Sequence, residues 1–516
     1  MAFRPYPIVD VRTGLQNNLE PWLIPKDAFV KLNNAYLWQG YITKRRGYKL
    51  FANVSSNPIM GIYIFYTADS SFLIAMDTTD IYKYDGTSFS SIYSGFTGSD
   101  KDYFWTELWQ DKMVITNNHD LVKKFDGTNV TNLSSDSGLF TGGNNYVTKA
   151  LILKQFKGRM IAFNTYETAD GLRAQRARWS AVGSIDDWQE ADGGGYVDAD
   201  TAEWITGVVF LKNRLIVWFE QSVWELEYTG NEMQPFVWNR IDNSAGCYAP
   251  FSVMDFSDSV MAVGGTDLNV CNGYSTDTAL KKIPDFVLKI NPDNIGSVYS
   301  VALDEMRQIW WAYPEDTSTT NNKVLVYNYR EDNFSVFDIP ACTFGFWNND
   351  TTPTWDAYAN SYPAGTTIDQ TDDVSWDELG KLMVAGYPTT LMGGYDGNIY
   401  QLNTGSVDNG NSIPFEVVTK RMNPFLPYKK AVLGFVDFLV STHSTATLTV
   451  ELYNDTSDTP SITKTLDFTG NNEKVWKRLW FNKAAKFHQL RLYHNQKNAT
   501  VKIHAIVPNF KPVGVI

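Results

Sequence analysis

Apolar and polar residues alternate along most of this chain in short runs, and six of the runs resemble one another. Each is a short, aromatic-rich stretch, most lie beside a tight turn, and each follows one or two apolar stretches. The Asp-Gly turns of the first two runs lie 41 positions apart, at Asp85 and Asp126. Self-similarity at about 40–50 residues, with about four strands per unit, is typical of a β-propeller. The six runs are 81–86, 122–127, 223–228, 269–274, 325–329 and 396–400.

The pattern predicts an all-β chain whose propeller spans 56–405. The fourth unit is the clearest, because Trp204–Phe210, Asn213–Phe219 and Val223–Tyr228 are three apolar strands joined by short turns. Six or seven blades fit the pattern. A polar insertion at 348–375 is too long for a simple blade connection. The predicted units are 58–95, 103–135, 146–190, 203–240, 247–288, 297–339 and a partial 374–404.

The two ends of the chain differ from the repeating middle. Residues 1–55 contain a proline-punctuated extended stretch and short strands, without the repeat. Residues 412–516 contain strictly alternating strands at 446–452, 489–492 and 501–505, as half-buried strands of a β-sandwich do. We therefore predict a C-terminal β-sandwich-like platform domain, with 1–55 as a segment that can join it.

Composition narrows the class of protein further. The 516 residues are 43% hydrophobic and 15% aromatic, and aromatic residues suit pleated, half-buried strands. An apolar run of about 18 residues is missing, so no spanning helix is predicted, and the start lacks the apolar stretch of a Sec signal peptide. The three widely spaced cysteines, Cys247, Cys271 and Cys342, fit synthesis in a reducing cytosol.

Charge is unevenly distributed along the chain. The net charge is +5 over residues 1–50, −25 over 51–411 and +7 over 412–516. An acidic body repels phosphate, which argues against sequence-specific DNA binding by the propeller. The alternative explanation is that surface acidity keeps a large protein soluble.

Catalytic and ligand-binding motifs are missing from the sequence: no zinc-binding His-Glu-x-x-His, paired Cys-x-x-Cys, phosphate loop or nucleophile elbow is present. We therefore predict no catalytic residue, cofactor or metal. The Asp-Gly pairs at 85, 126 and 396 are expected to be turns. The one candidate contact site is the basic cluster Lys44, Arg45 and Arg46, which suits an acidic partner or phosphate unless it is a plain solvated turn.

Several segments resemble propeller-containing tail proteins of short-tailed bacteriophages. Near the start, Gly-Leu, Pro-x-x-Ile-Pro, Leu-x-Asn-Ala-x-x-x-x-Gly and Arg-Arg-Gly follow one another at 14–15, 21–25, 32–40 and 45–47. Later stretches are similar to the same proteins, at 178–183 with 187–188, 326–329 with 333–335, 486–492 and 511–514. The segments span most of the chain, and no catalytic residue is among them.

The resemblance implies a tail hub or nozzle protein that acts in the virion tail after synthesis in the host bacterial cytoplasm. In that family a ring of copies, usually six, lies below the portal and adaptor rings and extends the DNA channel. It retains packaged DNA, conducts the genome during ejection, carries fibres or spikes, and meets the host envelope only transiently. An acidic channel wall would let DNA pass without sticking, and the cluster at residues 44–46 would dock on the upstream ring.

Two other interpretations stay open. The first is a carbohydrate-binding or depolymerising propeller, suggested by Trp355, Tyr358 and Tyr362 beside Asp372 and Asp373, because sugars stack on aromatic rings and glycosidases use paired carboxylates. The lack of a motif repeated across the blades argues against it. The second is a cellular interaction propeller, against which stands the lack of Trp-Asp or kelch repeats.

Overall fold

The computed structural model describes residues 2–67, 70–133, 141–142, 145–256, 258–348, 388–425, 429–443, 446–471 and 473–513. Over these ranges the chain is built of β-strands, and its only helices are four short 3₁₀ helices. None of the helices in these ranges has the length and apolarity needed to cross a membrane. The all-β prediction is confirmed. The 3₁₀ helices are Glu190–Asp192, Pro250–Ser252, Val287–Lys289 and Pro292–Ser297.

Seven short strands open the chain. They are β1 (Arg4–Pro5), β2 (Ile8–Val9), β3 (Gly14–Leu15), β4 (Ala28–Asn33), β5 (Ala35–Trp38), β6 (Tyr41–Lys44) and β7 (Lys49–Asn53).

Seven antiparallel sheets follow, which we call blades 1 to 7. In blades 1 to 6 successive strands pair as a meander, whereas the last strand of blade 7 is β7, from before the propeller. Blade 1 is β8 (Ile59–Tyr66), β9 (Ser71–Asp77), β10 (Asp80–Tyr84) and β11 (Phe89–Ser94); blade 2 is β12 (Trp105–Trp109), β13 (Lys112–Thr116), β14 (Lys123–Phe125) and β15 (Val130–Asn132); blade 3 is β16 (Thr141–Gly142), β17 (Asn145–Phe156), β18 (Arg159–Glu167), β19 (Gly171–Trp179) and β20 (Gly195–Asp198).

The remaining blades continue in chain order. Blade 4 is β21 (Ile205–Leu211), β22 (Arg214–Phe219), β23 (Val223–Tyr228) and β24 (Phe236–Asp242); blade 5 is β25 (Met254–Phe256), β26 (Ser259–Val263), β27 (Leu268–Cys271) and β28 (Thr276–Thr278); blade 6 is β29 (Tyr299–Leu303), β30 (Gln308–Tyr313), β31 (Lys323–Asn328) and β32 (Asn333–Phe337); blade 7 is β33 (Thr343–Trp347), β34 (Thr389–Gly393), β35 (Asn398–Gln401) and β7.

The blades close into a ring, which makes this part of the chain a β-propeller. The innermost strands contact one another in the order β8, β12, β17, β21, β25, β29 and β33, and β33 returns to β8. Five clusters of buried apolar residues each lie between two neighbouring blades, and a larger one joins blades 6, 7, 1 and 2. The predicted propeller is thus confirmed, with seven sheets in the described residues. Blade 7 is completed by β7, which lies before residue 56.

Two glycines let blade 7 approach blade 1 closely. A Cβ on Gly345 of β33 would lie 2.7 Å from the backbone oxygen of Ile62 in β8. A Cβ on Gly393 of β34 would lie 2.8 Å from Cβ of Ile59. Any larger residue at these positions would push the two blades apart. We call this contact between blades 7 and 1, which closes the ring and requires glycine, the joint.

The remaining strands lie after the propeller. They are β36 (Val407–Asp408), β37 (Asn411–Ser412), β38 (Phe415–Thr419), β39 (Ala431–Ser441), β40 (Thr447–Asn454), β41 (Ile462–Asp467), β42 (Lys474–Ala485), β43 (His488–His494) and β44 (Lys502–Pro512).

Strands from both ends of the chain form two sheets around one hydrophobic core, and we call β1–β6 and β38–β44 the terminal strands. One sheet has the order β42-β39-β44-β6-β5, with β1 and β2 on β44; the other runs β4-β38-β43-β40-β41. Alternate residues of β39, β40 and β43 point into the shared core. The second sheet continues into blade 6, because β4 pairs with β32 at Asn33 and Val336.

Candidate partner-binding surfaces

Lys44, the first residue of the predicted docking cluster, is buried rather than exposed. It ends β6, and its Nζ donates to the backbone oxygens of Ala499 (3.3 Å) and Gln496 (3.4 Å). Burial, and to a lesser extent the nearby Arg45 cation, lower the pKa of the Lys44 ammonium to about 8. Lys44 therefore fastens β6 to the loop before β44.

Arg45 is also buried, and it joins three parts of the chain. Its guanidinium donates to both carboxylate oxygens of Asp408 (2.5 and 2.8 Å), to Asn34 Oδ1 (2.6 Å) and to the backbone oxygen of Asp338 (2.8 Å). The expectation that residues 44–46 form an exposed docking cluster is thus corrected for Lys44 and Arg45. Both are committed to internal partners, and only Arg46 reaches the surface.

The Asp-Gly pairs are turns, as predicted. The Asp85 carboxylate accepts from the backbone N–H groups of Ser88 (2.7 Å) and Thr87 (2.8 Å), and these bonds lower the pKa of Asp85. Gly86 has φ +99°, a left-handed conformation that glycine adopts without strain. Asp126 accepts from Asn129 and Thr128 in the same way. These carboxylates are occupied in turn formation.

Nucleophilic and metal-binding chemistry has little support in the described ranges. Burial raises the pKa of the Cys247 thiol to about 11 and that of Cys342 to about 12, so both stay protonated at neutral pH. His488 is buried with Nε2 3.0 Å from the backbone oxygen of Ala431. Among the residues described, no group of His, Cys, Asp and Glu has the arrangement of a metal site.

Aromatic side chains close the axis of the propeller. Tyr103 precedes the inner strand of blade 2 and Phe251 that of blade 5, and their rings lie 5.5 Å apart. Because these blades are three places apart in the ring, this contact crosses the axis. Tyr299 of blade 6 stacks on Phe251 at 5.1 Å, and its hydroxyl lies 3.2 Å from that of Tyr63 in blade 1. At this level the rings of Tyr103, Phe251 and Tyr299 occupy the axis of the propeller.

The acidic pair that the sequence suggested lies outside the described residues, whereas another acidic loop, at Asp186, is described. Asp372 and Asp373, with Trp355, Tyr358 and Tyr362, lie outside the described residues. Asp186 is described, and its carboxylate accepts from Lys124 Nζ at 2.7 Å on the surface of blades 2 and 3. Its partner is a cation of the chain itself, as expected for a solvated surface loop.

A basic, aromatic surface covers the outer side of the sheet that contains β42. Trp476 and Trp480 project from β42 with 59% and 52% of their surface exposed. Arg478 lies between them, pairs with Asp437 of β39 (2.6 Å) and stacks over Phe435 at 4.0 Å. We call Lys474, Trp476, Arg478 and Trp480 the basic tryptophan face.

An acidic surface with an exposed tryptophan lies at the edge of blade 3. Residues 198–204 leave β20 and lead into blade 4; they include Asp198, Asp200 and Glu203 and no basic residue. Trp204 is 50% exposed, and its backbone N–H donates to Glu220 Oε2 at 3.2 Å. We call 198–204 the acidic segment.

Sequence reasoning overlooked both surfaces. The signal in β42 was available, because Lys474, Trp476, Arg478 and Trp480 recur at every second position and therefore share one side of a strand. The alternation alone does not show which of the two sides of β42 faces the core. Only the packing of Val475 and Leu479 against the shared core assigns the tryptophans to the outside.

Neither a protein-family model nor a curated protein matches this chain. Several solved structures are similar. BBS1N in complex with ARL6DN has a TM-score of 0.39 at 9% identity, covering 71% of this chain and 99% of that one. YCF48 bound to D1 peptide has a TM-score of 0.35 at 7% identity, covering 70% of this chain and 98% of that one. The computationally designed Ika8 protein has a TM-score of 0.37 at 8% identity, covering 69% of this chain and 100% of that one. At these scores and identities the similarities carry no argument about function.

Proposed function

We propose that this chain is a structural tail protein of a short-tailed bacteriophage. Copies form a ring, six in the family that the sequence resembles, which extends the tail channel below the adaptor and portal rings. The ring retains packaged DNA, conducts it during ejection and supports fibres or spikes. The terminal strands form a platform domain beside the propeller, and the chain works without catalytic residue, cofactor or metal.

One observation supports this proposal: the basic ends of the chain and the acidic propeller form separate parts of one connected structure. The strands at the two basic ends of the chain share a core, while the acidic propeller lies beside them on a continuous sheet through β32 and β4. A molecule with a basic part and an acidic part can orient identical neighbours, because complementary potentials select the register of association. Head-to-tail contacts between such neighbours close into a ring where the rotation between copies allows it.

The closed propeller axis supports a channel between copies rather than through one copy. Tyr103, Phe251 and Tyr299 meet at the axis, which leaves no passage for a DNA duplex there. A wall that includes acidic propeller surface would repel phosphate and let DNA slide without specific contacts. Such a wall requires no individual binding residue.

Light scattering on the purified full-length chain, followed by negative-stain imaging, tests this proposal. We expect ring-shaped particles of one stoichiometry with an open centre, formed by the chain alone or after a phage adaptor ring is added. A chain that stays monomeric in both experiments and binds oligosaccharides on a glycan array would contradict the proposal. That result would favour the carbohydrate-binding interpretation.

A further inference from the structure

Two surfaces of opposite charge on this chain each expose tryptophan. The basic tryptophan face belongs to the terminal strands, which are joined to blade 6. The acidic segment follows the outermost strand of blade 3, three places away around the ring of blades. The two surfaces therefore lie on different sides of the molecule, and one copy cannot bring its own two surfaces together.

The basic tryptophan face is a flat, ordered surface. In the pairing of β42 with β39, Trp480 lies opposite Phe435, Arg478 opposite Asp437 and Trp476 opposite Leu439. Val475, Leu479 and Phe481, on the other side of β42, pack in or against the shared core, so the tryptophans point away from it. The ion pair with Asp437 holds Arg478 in place, which lowers the entropy lost on binding.

The composition of this face is that of a protein interface. Tryptophan and arginine are the residues most enriched at interface hot spots, where they are buried by the partner. Lys474 and Lys502 are exposed at the end of the face nearest His504. Across the sheet, Asp437 is the acidic residue opposite β42, and Arg478 already neutralises it. The face therefore suits a partner with acidic and apolar groups.

The acidic segment offers such a partner. Its backbone is fixed, because the Glu203 carboxylate accepts from Gln221 N–H (2.9 Å) and from the Ser222 hydroxyl (2.9 Å). Asp200 is exposed, and half of the surface of Trp204 in the same segment is exposed as well. Arg176 pairs with Asp198 at 2.7 Å and Arg240 donates to the backbone oxygen of Asp200 at 3.3 Å. The negative charge that the segment offers a partner is therefore that of the Asp200 carboxylate, on the same rigid loop as Trp204.

We propose that the basic tryptophan face of one copy binds the acidic segment of a second copy. Because the two surfaces differ, the contact is heterologous: a bound pair keeps one free surface of each kind, one on each copy, and repetition gives a ring where the rotation closes. This inference rests on the ring assembly of the proposed function and names the surfaces that form it.

The test uses two full-length variants, each lacking one surface. The face variant carries Trp476→Ala and Trp480→Ala, and the loop variant carries Asp200→Lys and Trp204→Ala. Light scattering should find each variant monomeric under conditions in which the wild-type chain assembles. An equimolar mixture should form a species of two copies and nothing larger, because only one intact contact is possible between the variants.

Matched controls separate a lost interface from a lost fold. Trp22→Ala removes another exposed tryptophan and Lys464→Glu reverses another exposed lysine, and both should assemble as the wild type does. Thermal unfolding should give all variants transitions close to that of the wild type. Assembly by either double variant alone, or a mixture that stays monomeric, would overturn the inference while leaving ring formation intact. A wild-type chain that never assembles, even on an adaptor ring, would overturn the proposed function as well.

Discussion

At the scale of single residues, buried polar groups join distant parts of this chain. Arg45 pairs with Asp408, 363 positions away, with side-chain exposures of 2% and 13%. Breaking a buried ion pair is costly because the remaining charge loses its partner without regaining water. The same residues looked like surface contacts in the sequence, since a run of basic residues carries no mark of a carboxylate so far along the chain.

We predict that Arg45→Met lowers the free energy of unfolding by about 3–5 kcal/mol, because Asp408 is left as an uncompensated, largely buried charge. Denaturant unfolding followed by intrinsic fluorescence measures the change. Arg46→Met at the neighbouring exposed position is the control and should change stability by less than about 1 kcal/mol. Equal effects at both positions would contradict the internal role of Arg45.

A second prediction at this scale concerns pH. Burial lowers the pKa of His488, and its Nε2 donates to Ala431, so the folded state keeps this ring neutral. In the unfolded chain it takes up a proton below pH about 6.5. The unfolded state then binds more protons, so the stability that neutral His488 confers is present above that pH and is lost as the pH falls further.

Thermal unfolding between neutral and mildly acidic pH measures this loss. His488→Gln keeps an N–H donor for Ala431 but does not titrate, so its stability should fall less steeply below pH about 6.5. His494 and His504, whose pKa values burial also lowers, contribute to the slope that remains. Parallel pH profiles for wild type and variant would exclude His488 as a source of acid sensitivity.

At the scale of elements, strands could be predicted from sequence wherever their partners are neighbours. In blade 4 the predicted Val223–Tyr228 is the observed β23. The prediction for β22 begins one residue too early, and the prediction for β21 is shifted by one residue at both ends. The role of β7 could not be predicted, because its partner β35 lies about 350 residues later and short strands carry no code for distant pairing. The candidate surfaces could not be predicted either, because the side of a strand that is exposed depends on which side packs against the core, and distant parts of the chain form that core.

The joint between blades 7 and 1 gives a prediction at this scale. Gly345→Val should lower the free energy of unfolding by about 1–3 kcal/mol, because its side chain would overlap the backbone of β8 at Ile62. Denaturant unfolding again provides the measurement. Gly296→Ala, where a Cβ would meet nothing within 4 Å, is the control and should be close to neutral. An unchanged free energy of unfolding for Gly345→Val would mean that β33 and β8 can move apart without cost, which would contradict this prediction.

At the scale of the whole molecule, charge decides how copies can meet. The chain carries a net charge of −13, yet its terminal regions are basic. Two like surfaces brought together would repel, whereas a basic terminal face and an acidic propeller edge attract. Electrostatic attraction of this kind increases association rates and fixes orientation, while buried aromatic residues supply much of the affinity.

The salt dependence of assembly therefore distinguishes contacts between oppositely charged surfaces from contacts between like-charged surfaces. The Debye length falls from about 30 Å at 0.01 M salt to about 3 Å at 1 M. Opposite-charge, head-to-tail contacts should then form more slowly and dissociate at higher protein concentration as salt rises, which stopped-flow light scattering can follow. Assembly that strengthens with salt would instead indicate that like-charged surfaces meet, and would contradict the head-to-tail arrangement.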